Sequence, residues 1–104
     1  MTLAANPLRG EAVLVVAGTE RTLRPTFTAL VAAEAEIGPL FALVERAGAG
    51  ELRLSEMAAL FWHCLVNPAE LTREDVGLAV SATGLAACAK PLRALLTQIL
   101  QGSG

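Results

Sequence analysis

Glycine and proline interrupt this chain so often that no element in it can be long. Gly18, Pro25, Gly38-Pro39, Gly48-Ala49-Gly50, Asn67-Pro68 and Gly84 divide it into short segments. Proline fixes φ and removes a donor, and glycine favours turns and helix ends, so each site is a boundary. The longest apolar runs, Ala12 to Ala17 and Met57 to Trp62, are six residues each. A membrane-spanning helix needs ~20. The fold must therefore be built from short elements that share one core, and 104 residues is the length of a single domain, 1–104.

The first elements read as β. Glu11-Ala-Val-Leu-Val-Val-Ala17 is apolar and rich in β-branched residues, Ala17-Gly18-Thr19-Glu20 is a turn signal, and Arg21-Thr-Leu-Arg24 alternates. Residues 11–24 thus read as a two-stranded hairpin. An isolated hairpin is marginal in water, so it must lie on an apolar surface. Its Val and Leu edge is an association hazard unless it is paired or covered. Residues 1–9 read as an irregular lead-in with a turn at Asn6-Pro7, and residues 102–104 as a frayed end. No cationic stretch precedes an apolar one, so no secretory signal is expected and the setting is read as cytoplasmic.

Residues 26–101 read as four to five short helices. Pro25-Thr26 starts the first, with Phe27, Leu30, Val31 and Ile37 on one face and Gly38 after its end. Pro39 opens the second, with Leu40, Leu43, Val44 and Ala47 as its stripe. Ser55 is placed to cap the third, whose inner face is Met57, Leu60, Phe61, Cys64 and Leu65. Thr72 caps the fourth, with Glu74 and Asp75 suiting the helix dipole and Val76, Ala79, Val80 and Thr83 following at helical spacing. In the last segment Leu85, Cys88, Leu92, Leu95 and Ile99 recur at spacings of three and four. Pro91 lies inside that pattern, so either one helix kinks there or the helix begins near Pro91; one kinked helix is favoured. The fold class is α+β: an N-terminal two-stranded hairpin packed on a small bundle of helices. Alanine supplies much of the apolar content and the aromatics are only Phe27, Phe41, Phe61 and Trp62, which suits closely packed helices better than a β-sandwich.

Catalytic chemistry is hard to find. His63 and Cys64 are adjacent, so on a helix they point about 100° apart and cannot face one substrate. A structural zinc site usually needs four Cys or His ligands, and His63, Cys64 and Cys88 are all there are. No metal and no cofactor is expected. Cys64 and Cys88 read as small buried hydrophobes. Glu34 and Glu36 diverge on a helix, and Glu34 reads as a stripe-edge acid paired with Arg21 or Arg24. No phosphate-binding loop, dinucleotide fingerprint or nucleophile elbow is present. Eight Lys and Arg against ten Asp and Glu leave a net charge of −2, which argues against nucleic acid or membrane held by bulk charge. Drawn as a helix-turn-helix, the third and fourth helices would present Glu74 and Asp75 to the bases, which repels DNA.

The excess is apolar. Trp62, Val66 and Ala58 carry the third helix's apolar surface beyond one face, so either that helix is central and buried or Trp62 and Val66 mark a partner surface. Leu92, Leu95, Leu96, Ile99 and Leu100 likewise exceed what one narrow face needs. Phe61, Trp62, Val66, Leu92, Leu96 and Leu100 are the candidate partner-binding residues.

The order of these signals resembles a known family. Asn6-Pro-Leu-Arg-Gly-Glu11, a short strand, Gly18 and Leu23-Arg24 are followed by Ala29-Leu30, Glu34, Gly38, Leu40 and Leu43. Ser55-Glu-Met57, Leu71-Thr72, Glu74-Asp75-Val76 and Gly84-Leu85 complete the pattern. Together they resemble the tail assembly chaperones of gene transfer agents, found in prophage-like clusters. Val66-Asn67-Pro68, where the family often has a glycine-rich connection, and Pro91 depart from the pattern. The resemblance implies a non-enzymatic protein that binds the tape-measure protein during tail morphogenesis and keeps it soluble. Other tail proteins and a second copy of the chain are further expected partners. A structural tail or connector component and a small DNA-binding regulator are the alternatives.

Overall fold

A computed structural model describes residues 11–101, apart from the side chain of Gln101. The expected lead-in over residues 1–9 and the expected frayed end over residues 102–104 lie outside the described residues. The elements are β1 (Ala12–Val16), β2 (Thr19–Leu23), α1 (Phe27–Ile37), α2 (Leu40–Gly48), α3 (Leu54–Cys64), α4 (Arg73–Thr83) and α5 (Leu85–Gln101). The α+β class, with its N-terminal hairpin, is the observed architecture.

β1 and β2 are antiparallel, with Ala12 opposite Leu23 and Val16 opposite Thr19. Ala17 and Gly18 alone make the turn, with φ of 52° and 80°. Paired positive values define a type I′ turn, whose twist matches that of the strands and lets pairing run up to the loop. Thr19 and Glu20, expected in the turn, are therefore strand residues. Along β1, Ala12, Leu14 and Val16 are buried while Val13 and Val15 face solvent, the period of a sheet with one face covered. α4 and α5 pack against β1 and supply the apolar floor the hairpin needs.

The far edge of β2 is covered by the end of α3. Arg24 N–H donates to the Cys64 carbonyl at 2.7 Å and Val66 N–H to the Thr22 carbonyl at 3.0 Å, with Leu65 bridged to Leu23. Leu65, expected inside the third helix, is buried just beyond it for this reason. Arg24 also reaches the buried Glu11, Nε to Oε2 at 2.6 Å. The expected pairing of Glu34 with Arg21 or Arg24 does not form. Glu34 Oε2 instead accepts the Leu40 N–H at 3.1 Å, satisfying a donor at the start of α2 where Pro39 offers no cap.

α3 is the central helix, with Met57, Ala59, Leu60, Phe61 and Cys64 buried and α1 and α4 packed against it. It begins at Leu54, one residue before the expected cap Ser55. Glu56 accepts the Arg53 N–H at 3.0 Å and is held there by Arg46 at 2.7 Å, so a carboxylate in the first turn does the capping. α1 buries Ala29 and Ala33 fully, and of the face expected from its sequence Leu30 and Ile37 pack against the core while Phe27 and Val31 do not. Phe27 is 83% exposed and Val31 48%, because small side chains allow the close approach of α1 to α3. Thr26 Oγ1 caps α1 through Ala29 N–H at 3.1 Å. Thr72 and Asp75 cap α4 reciprocally, at 3.1 and 2.9 Å. Thr83 and Leu85, expected on inner faces, are exposed where the chain turns at Gly84. α5 is a single helix through Pro91, with Cys88, Leu92 and Leu95 in the core.

Among the described residues no single helix is long and apolar enough to cross a membrane.

Candidate partner-binding groove

Leu92, Leu96 and Leu100 stand at helical i, i+4 and i+8 on α5 and so share one face. α5 crosses α2, whose last turn ends in Ala47 and Gly48. With almost no side chain there, the two helices leave a groove of about 410 Å³ between them. Val44, Ala47 and Gly48 form one wall and Ala89, Leu92, Leu96 and Leu100 the other. Leu92 is buried at the floor, Leu96 is half-buried, and Leu100 is 55% exposed at the rim. Arg93 and Thr97 add the polar groups of the lining. Such a trough can take an apolar helix face by contact alone. Arg93 is the one ionisable side chain among its lining residues.

The other half of the expected surface is elsewhere. Phe61, one of the expected residues, is 0% exposed in the middle of the core, where α3 is covered on several sides, and presents no surface in this structure. Trp62 is half-buried against the core, with the Arg73 guanidinium 5.7 Å from its ring centroid, a cation–π distance. Val66 is exposed, but its backbone is tied to β2. None of the three lines the groove.

Trp62 belongs to a polar clasp that sequence reasoning missed. Glu36 at the end of α1 receives both guanidinium nitrogens of Arg73, the first residue of α4. His63, at the end of α3, lies 2.9 Å from the same carboxylate. Arg73, and after it His63, hold the Glu36 carboxyl down at about 2, against an ordinary 4.5. Arg73 is raised in turn by the same contact. The clasp joins three helix ends that lie far apart in sequence, so no local spacing signals it. On the groove, the sequence pointed to the α5 leucines. It did not point to the α2 wall, whose small residues read only as a helix ending.

Cys64 and Cys88 are buried free thiols. Burial pushes Cys64 up to about 12 and raises Cys88 as well, and the Cys88 thiol leans on the Val80 carbonyl at 3.8 Å. They fill space in the core. Among the described residues no group of His, Cys, Asp or Glu side chains is placed to hold a metal ion.

The chain matches, over residues 9–102, a family described as phage tail tube protein, GTA-gp10. That description agrees with the gene transfer agent and phage tail class read from the sequence. It names a tail tube protein where the sequence reading expected an assembly chaperone. No curated protein and no solved structure matches.

Proposed function

The chain belongs to the GTA-gp10 family of phage tail proteins, and from that premise we propose that it is a non-enzymatic tail assembly chaperone acting in the bacterial cytoplasm. Its client is the tape-measure protein, a long helical protein with apolar stripes. The observation that carries this reading is the groove between α2 and α5, in which Leu92, Leu96 and Leu100 line one apolar wall. An amphipathic helix laid there meets leucines at its own periodicity, and small residues opposite let it sit close. The contacts are apolar and few, which suits a client that must later be released. The test is co-expression with the tape-measure protein of the same gene cluster. The wild-type chain is expected to keep that protein soluble and to co-elute with it. Leu96→Asp and Leu100→Asp are expected to abolish capture while the variants still melt cooperatively. Trp62→Ala and Val66→Asp, outside the groove, leave capture intact.

A second reading is favoured by the family's description as a tail tube protein. On that reading the chain is a structural component kept in the particle. Mass spectrometry of purified particles separates the two. Stoichiometric amounts of this chain in particles, with no capture of the tape-measure protein, would replace the chaperone reading.

A further inference from the structure

The hairpin has two edges, and they are treated differently. Along the β2 edge, Thr22 and Arg24, the residue just after the strand, turn backbone groups outward and are met by Val66 and Cys64. By the alternation of an antiparallel ladder, the residues of β1 that turn outward on the opposite edge are Val13, opposite Thr22, and Val15, opposite Glu20. No described residue pairs with the backbone N–H or C=O of either. Their side chains are 39% and 46% exposed. β1 reads Ala-Val-Leu-Val-Val, with no charge, proline or bulge to blunt the edge as exposed edges usually are. Beside it Val15 and the 61% exposed Leu78 line a trough of about 440 Å³ between β1 and α4.

We propose that this edge is an interface with a second copy of the chain, in which β1 pairs antiparallel with β1 about a two-fold axis at Leu14. The sequence of β1 is self-complementary in that register. Val13 falls opposite the partner's Val15, and Val15 opposite the partner's Val13. All four are outward-facing residues, so each pair exchanges both backbone hydrogen bonds. The same operation brings the four exposed valines onto one face as cross-strand neighbours. A two-fold axis makes the contact closed, so it ends at a dimer and does not propagate. The interface lies apart from the α2–α5 groove, so it stands whether or not that groove binds a client.

The experiment is sedimentation of the full chain and of two double variants, with thermal melts to confirm folding; both positions point to solvent, so the core is untouched. The wild-type chain is expected to be a dimer. Val13→Lys with Val15→Lys sets lysine against lysine across the interface and is expected to give a monomer. Val13→Lys with Val15→Glu sets lysine against glutamate only in the antiparallel register about Leu14, and is expected to restore the dimer. A monomeric wild-type chain overturns the proposal. So does a double-lysine variant that dimerises like wild type, or failure of the charge-paired variant to recover. Protection of the edge by an added extended peptide, with no self-association, would also overturn it and assign the edge to a different occupant.

Discussion

Ala17 is the residue whose backbone is most at odds with its side chain. It is the one non-glycine residue with positive φ among the described residues, at 52°. The left-handed region costs an L-residue roughly 1–2 kcal/mol, and asparagine tolerates it better than alanine. Ala17 is exposed and lies in the turn, so a change there disturbs no packing. Ala17→Asn is expected to stabilise the chain by about 0.5–1 kcal/mol, read as a higher urea midpoint at unchanged slope. Residue identity also explains why Glu34 went to a backbone amide and not to an arginine. Leu40 N–H is an orphan donor six positions ahead, whereas Arg24 is drawn to Glu11 on the same hairpin.

Among the elements, α1 and α4 show how far periodicity reaches. In α4 the Thr72 cap and the inner residues Val76, Ala79 and Val80 are those the sequence implies, because cap and stripe are both local. In α1 the apolar residues are spread around the helix, so of the expected face only Leu30 and Ile37 pack against the core, Phe27 and Val31 are exposed, and the fully buried positions are Ala29 and Ala33. Two glycines of this part of the chain make opposite predictions. Gly84 ends α4 at φ 91° and ψ 147°, a region essentially restricted to glycine, where strain costs about 1–3 kcal/mol. Gly77 sits inside α4 at an ordinary helical φ, and a Cβ there would meet nothing within 4 Å. Gly84→Ala is expected to lower stability by about 2 kcal/mol. Gly77→Ala is expected to raise it by about 0.5–1 kcal/mol. Chemical denaturation of the two variants beside wild type measures both.

At the scale of the whole molecule, the polar clasp contributes to the response to acid. Glu36 has a folded pKa of about 2 against an ordinary 4.5. Glu56 is lowered as well, by Arg46 and then by the Arg53 amide. A carboxylate whose pKa is depressed by folding binds fewer protons in the native state. Its stabilisation is complete above about pH 4.5 and is lost as pH falls toward 2. The melting temperature is therefore expected to fall across that window. Glu36→Gln is expected to cost no more than about 1 kcal/mol at neutral pH, since the pair is part-exposed and screened. It should also flatten the acid limb, which thermal melts across the pH series would reveal.

The sequence by itself determined the element order, the hairpin, most helix boundaries and the leucine face of α5. Each of these follows from interactions within a few residues: a cap, a turn, a broken hydrogen bond, a repeating face. Only the tertiary structure decided which residues of α1 are fully buried, that Phe61 is enclosed in the core, and that Ala47 and Gly48 open a groove beside Leu96. It alone joined Glu36, His63 and Arg73, and covered one edge of the hairpin while leaving the other without a partner among the described residues. Those outcomes depend on how closely two elements approach and at what angle. Close approach is governed by the side chains of both elements together, and no spacing within one of them records it.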